Sequence, residues 1–185
     1  MIIGLSGWAR AGKDTVADHL EKNYGFTKLS FATPMRDALV ALDPVINIAG
    51  QYVSLAQAVR LSGWENLKSM SNDIRPLMQR LGTEVGRNMF GENFWVNLAM
   101  QEAEKYENVV FADCRFKNEA NAIKEAGGQL WRVMRPGFLA ANDHISENDL
   151  NSYLFDEYLS NSSDFSGLYE QVNEVMLQTD ALKLF

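Results

Sequence analysis

Hydrophobic and polar positions switch between two periods along this chain. The first run, IIGLS (residues 2–6), is apolar and bounded by Gly7, the pattern of a short buried strand. From Lys13 to about Asn23 the period changes, and Val16, Ala17, Leu20 and Tyr24 share one helical face with polar residues between them. Gly25 follows as a C-terminal stop. TKLSF (27–31) predicts a second strand, and ATPMRDALVAL (32–42) a second helix with Pro34 near its start. Strand, glycine-rich loop, helix, strand, helix is the order of a parallel α/β sheet.

Residues 43–71 carry a weaker signal, and QYVSLAQAVRLSGW predicts one helix with loops on either side. Over 73–90 the stripe is narrow: Ile74, Leu77, Met78, Leu81 and Val85 predict an amphipathic helix. GENFWVNLAMQEAEKY (91–106) predicts another helix, and NVVFAD (108–113) a short apolar strand ending in an acid. FKNEANAIKEAGG (116–128) reads as a helix closed by two glycines and QLWRVMR (129–135) as a strand. Pro136 to Asn148 is polar and irregular, the pattern of a mobile loop. FDEYLS (155–160) and DFSGLYEQVNEVML (164–177) give the last strand and helix. With no repeat and no linker, one domain over 1–185 is expected.

Composition narrows the function classes. The chain is 46% hydrophobic and 22% charged, enough for an ordinary core. A net charge of −7 argues against a nucleic-acid-binding face, while leaving room for a small basic pocket. The single cysteine, Cys114, forms no intrachain disulfide, so a reducing compartment is expected. No apolar run approaches the ~18 residues of a membrane span, and MIIGLSG lacks the length and charge of a signal peptide. A cytoplasmic protein with neither membrane nor nucleic-acid partners is expected.

The chemistry begins at GWARAGKDT (7–15), a match to the phosphate-binding pattern G-x-x-x-x-G-K-[ST] up to its last place. It follows the first strand and opens a helix, where backbone N–H groups converge on an anion. Gly7 and Gly12 permit the backbone angles and close approach such a loop needs, and Lys13 supplies charge to the β- and γ-phosphates. Asp14 stands where a hydroxyl usually holds Mg²⁺. It either helps bind the metal, directly or through water, or serves as a favourable charge at a helix start. Near triphosphate an unneutralised carboxylate is repelled by about 4 kcal/mol at ~4 Å and an effective dielectric of 20. The metal role therefore predicts that nucleotide binds poorly without Mg²⁺.

Asp113 ends the strand VVFAD, the position at which open α/β sheets bind ligands. Arg115 follows, and a guanidinium forks onto phosphate oxygens. Arg80, Glu84 and Arg87 fall along one border of the 73–90 stripe, either as a phosphate clamp or as a solvated salt-bridged strip. Arg36, Arg132 and Arg135 complete the basic set. His144 and Glu147 lie in NDHISEND, and Trp95 in ENFWVNL reads as core or as a base platform.

Taken in order, GWARAGKDT, SFATPMRDAL, LMQRLGTEVGR with GENFW, VVFADCRFKNEANAIKEAGGQLWRVMRPG, and HISE resemble phage-type deoxynucleoside monophosphate kinases. The likeness covers most of residues 1–170, is weakest at 43–71, and is most specific in G-K-D-T and D-x-R-F-x-N-E. It implies an α/β P-loop kinase with a five-stranded parallel sheet flanked by helices. It also implies an acceptor-binding helical region near 43–106 and a lid near 136–150. The implied reaction is ATP + dNMP → ADP + dNDP with Mg²⁺. By matching motif, the loop from Gly7 through Ala11, Gly12, Lys13, Asp14 and Thr15 would hold ATP phosphates and, with Asp113, the metal. Arg36, Gln79, Arg80, Glu84, Arg87 and Trp95 would serve the acceptor, and His144 and Glu147 its sugar or base. Asp113 and Arg115 would sit between donor and acceptor, Arg132 or Arg135 near the lid, and Asn161 near the donor adenine.

Two alternatives stay open on sequence: a kinase for another small acceptor, such as phosphomevalonate or dephospho-coenzyme A, and a nucleotide-controlled switch. Against the switch, no N-K-x-D or T-K-x-D signature is present, and D-C-R-F replaces D-x-x-G. A homodimer through the helices of 73–106 is a further expectation.

Overall fold

The computed structural model describes residues 1–137, 149–162 and 165–182. In chain order the first elements are β1 (Ile2–Ser6), α1 (Lys13–Tyr24), β2 (Thr27–Leu29), α2 (Thr33–Leu42), β3 (Val45–Ile48), β4 (Gln51–Ser54) and α3 (Leu55–Met70). Then come α4 (Ile74–Gln79), a π-helical segment (Arg80–Arg87), α5 (Asn88–Phe90) and α6 (Phe94–Ala103). The chain continues through β5 (Val109–Phe111), α7 (Lys117–Glu125), β6 (Gln129–Met134), β7 (Glu157–Ser160) and α8 (Phe165–Leu182). These elements fall into two compact units, Met1–Phe31 with Met100–Phe185, and Ala32–Ala99.

In the first unit five strands form one sheet in the order β2-β5-β1-β6-β7, every pair parallel. The central strand β1 is registered against both neighbours, Gly4 opposite Phe111 on one side and Leu130 on the other. Helices cover a parallel sheet on both faces, so its strands read as near-continuous apolar runs rather than as alternation. Ile3, Leu5, Val109, Val110, Phe111, Leu130 and Trp131 are all fully buried. Gly4 lets α7 come close: a Cβ there would lie 2.4 Å from Ile123 Cδ1. The expected five-stranded parallel sheet is therefore observed. The chain runs outward from β1 in both directions, so the loop after β1 opens at the point where strand order reverses. That is where open α/β sheets place their ligands.

The second unit has its own apolar cluster of Leu39, Ile46, Leu55, Ala58, Leu67 and Ile74. It departs from the sequence reading in two places. Residues 51–54, expected at the start of a helix, pair instead with β3 as an antiparallel hairpin, Ile46 opposite Val53 and Ile48 opposite Gln51. Its two-residue turn is Ala49-Gly50, both at positive φ (51° and 89°), the geometry that matches strand twist in tight hairpins. Helix α3 begins only after it, with the Ser54 hydroxyl accepting from the Gln57 N–H at 3.2 Å. The second departure is the 73–90 helix, which is π-helical rather than α-helical over Arg80–Arg87.

Candidate active site

A parallel sheet aims the C-terminal tips of all its strands at one edge. In the first unit that edge carries Gly7 after β1, Ser30 after β2, Asp113 after β5, Arg135 after β6 and Asn161 after β7. The loop after β1 is built on two close approaches. Gly7 (φ 144°) passes so near β6 that a Cβ would lie 2.3 Å from the Val133 carbonyl oxygen. Gly12 (φ 111°) passes the Asn161 side chain, where a Cβ would lie 2.7 Å from Nδ2. That amide donates to the Ala11 carbonyl at 2.9 Å, while the Asn161 N–H bonds the Met134 carbonyl at 2.7 Å. Asn161 thus anchors the loop to the sheet.

Lys13 opens α1 and is only 8% exposed. Its Nζ donates to the carbonyls of Gly7 (2.7 Å) and Trp8 (2.9 Å), which arches the ammonium over the loop. Gly12, the N-cap, offers no side-chain oxygen, so the cap makes no side-chain bond to the first turn of α1, the end of a helix that favours anions. Thr15 is half-buried on the first turn.

Asp14 has a partner that the sequence did not announce. Lys28 of β2 reaches both Asp14 and Asp18, one turn further along α1, at 2.8 Å each. Burial lowers the Lys28 pKa, but hydrogen bonds and charge from the two carboxylates outweigh it, and the net shift is upward. Lys28 already neutralises part of the acidity of this turn.

Asp113 accepts from the Ser30 hydroxyl at 2.6 Å and from the Phe31 N–H at 3.0 Å, so the tips of β2 and β5 are tied together. Each carboxylate oxygen can accept more than one bond, which leaves capacity for a further ligand. Glu119, buried at the start of α7, accepts from the N–H groups of Arg115 (2.7 Å) and Phe116 (3.0 Å). This fixes the backbone that presents Arg115, whose side chain is exposed. It also explains the acid of D-x-R-F-x-N-E as a helix-start device. Cys114 is buried, and burial followed by the charges of Glu119 and Asp113 pushes its thiol pKa well up, so it is a neutral thiol. The Arg132 guanidinium lies over the rings of Trp8 (6.0 Å) and of Phe155 (5.3 Å), with Nη1 3.3 Å from Ser6 Oγ and Nη2 2.9 Å from Asn151 Oδ1. Arg135 is exposed just past β6. Ser30, Lys28, Glu119 and Ser6 are the partners that sequence reasoning missed. Only Glu119 carried a local signal, its place three residues into a helix.

In the second unit Arg36 lies 5.9 Å from the Trp64 ring and pairs with Glu65 at 3.3 Å, while its Nε is buried with no hydrogen-bond partner among the described residues. Arg80 Nε stands 3.8 Å from Glu84 Oε2, both side chains largely exposed. Gln79 is exposed and Arg87 half-buried on the same stretch. The Trp95 indole donates to the Gly82 carbonyl at 2.9 Å. His144 and Glu147, with residues 138–148 of the expected lid, lie outside the described residues.

A family model, deoxynucleotide monophosphate kinase, matches residues 45–172. A relative from Acanthamoeba polyphaga mimivirus, described under the same family name, is 30% identical over 193 residues, covering 93% of this chain and 94% of its own. The chain belongs to the deoxynucleotide monophosphate kinase family. The deoxynucleotide monophosphate kinase of Enterobacteria phage T4 is 24% identical over 236 residues, covering 95% and 98%. Among solved structures, dephospho-CoA kinase from Campylobacter jejuni aligns with a TM-score of 0.52 at 13% identity, covering 96% of each chain. Shikimate kinase from Aquifex aeolicus aligns at 0.50 and 15%, covering 100% and 99%. At such identities these neighbours speak for the P-loop kinase fold alone. Family and fold together make the chain a phosphotransferase and remove the reading as a nucleotide switch.

Proposed function

We propose that this kinase transfers the γ-phosphoryl group of ATP to deoxynucleoside monophosphates, dNMP + ATP → dNDP + ADP. The observation that carries the proposal is the phosphate loop at the strand-order reversal, with the Lys13 ammonium arched over it, in a chain of this family. Lys13 and the N–H groups at the start of α1 would hold the donor phosphates, and Arg115 and Arg135 would neutralise charge that develops on the transferred group. Such transfer needs alignment and charge stabilisation more than covalent chemistry, and the acceptor phosphate needs no strong base. Arg36, Gln79, Arg80, Glu84 and Arg87 of the second unit would take the acceptor. Arg36 supports that role, because a buried N–H without a partner costs about 1–3 kcal/mol until an acceptor oxygen meets it.

The donor set suits Mg²⁺ carried in with the nucleotide. Among the described residues no cluster of three or more His, Cys, Asp and Glu forms a cage of its own. Mg²⁺ commonly takes one or two carboxylates with phosphate oxygens and water. Asp14 and Asp113 would supply those carboxylates, and the ion would supply positive charge to offset that of the donor phosphates.

Among the described residues no helix is long and apolar enough to cross a membrane. We propose residence in the cytoplasm, which the lone buried thiol supports, and a homodimer, which the exposed Met89 and Phe90 support; cell fractionation and sedimentation equilibrium test the two.

The activity is tested by measuring ADP release from Mg²⁺-ATP with each dNMP, each NMP and no acceptor. Turnover with deoxynucleotides and little without acceptor is expected. Turnover only with an unrelated acceptor, such as dephospho-coenzyme A or phosphomevalonate, would overturn the substrate assignment.

A further inference from the structure

The π-helical segment carries two glycines, and each has a neighbour where a side chain would stand. A Cβ on Gly86 would lie 2.0 Å from Trp95 Nε1 and 2.5 Å from Cε2, so the indole rests directly on the backbone of this turn. A Cβ on Gly82 would lie 2.8 Å from the sulfur of Met35, the residue before Arg36 on α2. The two small residues let three pieces of the second unit close on one another: the start of α2, the π segment and the start of α6.

The indole N–H meets this wide turn at one of its carbonyls. In an α-helix the Gly82 carbonyl would accept from the N–H four residues on, at Gly86. Here it accepts from Trp95 Nε1 at 2.9 Å. A side chain that inserts into the backbone ladder distorts a helix locally. At the end of the segment the Asn88 N–H reaches the Thr83 carbonyl, five residues back, and also the Val85 carbonyl, three back. Arg80, Glu84 and Arg87 all lie on this stretch, so its pitch sets how far apart the two guanidinium groups are presented.

We propose that Trp95 is a positioning residue, not a base-stacking platform: through Gly82 and Gly86 it holds the π pitch that spaces Arg80 and Arg87 for the acceptor phosphate. This rests on the acceptor role given above to the two arginines. The aromatic cluster around Trp95 fits a structural element, with Phe94 edge-on at 4.8 Å and Phe90 stacked on Phe94 at 5.1 Å.

The test measures KM for dNMP, KM for ATP and kcat in Trp95→Phe, Gly86→Ala and the double variant, with Arg80→Ala and Arg87→Ala alongside. Trp95→Phe keeps a ring and removes the donor, and about a fivefold rise in KM for dNMP is expected, the scale of one lost hydrogen bond. Gly86→Ala displaces the indole, and its effect is expected to be larger, with KM for ATP within twofold of wild type. The phenylalanine ring is smaller than the indole that the new methyl group meets, so the double variant should fall back toward the value of Trp95→Phe alone. Should Gly86→Ala fail to fold, as judged by circular dichroism, Trp95→Phe carries the test. Unchanged KM for dNMP in Trp95→Phe, while the arginine variants raise it, would overturn the positioning role and leave the acceptor assignment standing. An equal rise in KM for ATP would also overturn it. No effect in the arginine variants would overturn both.

Discussion

Lys13 and Asn161 both end on carbonyls of the phosphate loop, one from the helix that follows it and one from beyond the last strand. The two contacts differ in what their loss would do. On the role proposed for it, Lys13→Ala removes a charge acting on the transferring phosphoryl group, and groups of that kind are worth about 10²–10³ in turnover. It also frees two carbonyls near solvent, a loss on the order of 1 kcal/mol each. Turnover is therefore expected to collapse while the thermal midpoint falls by only several degrees; retained activity would refute the site. Lys28 makes a second prediction. Its ammonium neutralises Asp14 and Asp18, and without it those carboxylates would repel ATP phosphates unless a cation intervened. Lys28→Met should weaken ATP binding several-fold in the absence of Mg²⁺ and much less in its presence. Isothermal titration with and without the metal reads this directly, and wild-type protein binding ATP equally in both conditions would remove Asp14 from the metal role.

At the level of elements, the hairpin and the π segment were illegible for different reasons. VINIAGQYVS holds two short β-rich runs around a two-residue turn, but Ala49 stands where Asn or Asp would have announced positive φ. The π segment kept a helix-like apolar stripe, and one of its carbonyls is met by Trp95, a residue outside it. No period within 80–87 encodes that bond. The join between α2 and α3 shows a further long-range device. Asp43, in left-handed conformation at the end of α2, accepts from the Ser54 hydroxyl at 2.6 Å and from the Ala56 N–H at 2.8 Å, so it clamps the hairpin's two ends. The Ser54 bond, then the Ala56 bond, lower its pKa. A folded-state pKa below the unfolded value of ~3.9 means stability that is complete above that pH and lost as pH falls through the folded value. Urea midpoints of wild type and Asp43→Asn should differ by a constant amount above pH ~5 and converge below pH ~4. A difference that persists to pH ~2 would show that the amide fails for another reason.

Over the whole molecule, the sheet was legible because a buried parallel sheet must be written as apolar runs separated by helices, and Gly7, Asp113 and Asn161 were legible because each sits just past such a run. Ser30 and Lys28 were not, since only the register of β2 against β5 brings Ser30 beside Asp113, and only the packing of α1 on β2 brings Lys28 to Asp14 and Asp18. Among the described residues each unit holds an apolar cluster of its own. Leu168 belongs to the cluster of the first unit and Leu67 to that of the second, both fully buried. Truncating either to alanine costs about 2–5 kcal/mol. If each unit opens on its own core, Leu67→Ala should lower hydrogen-exchange protection mainly within 32–99 and leave β1, β5 and β6 protected, while Leu168→Ala does the reverse. With the acceptor groups in 32–99 and the donor loop in the other unit, as proposed above, Leu67→Ala should raise KM for dNMP before KM for ATP as urea is added. Uniform loss of protection across both ranges would mean that the two cores unfold as one, and the kinetic split would then vanish with it.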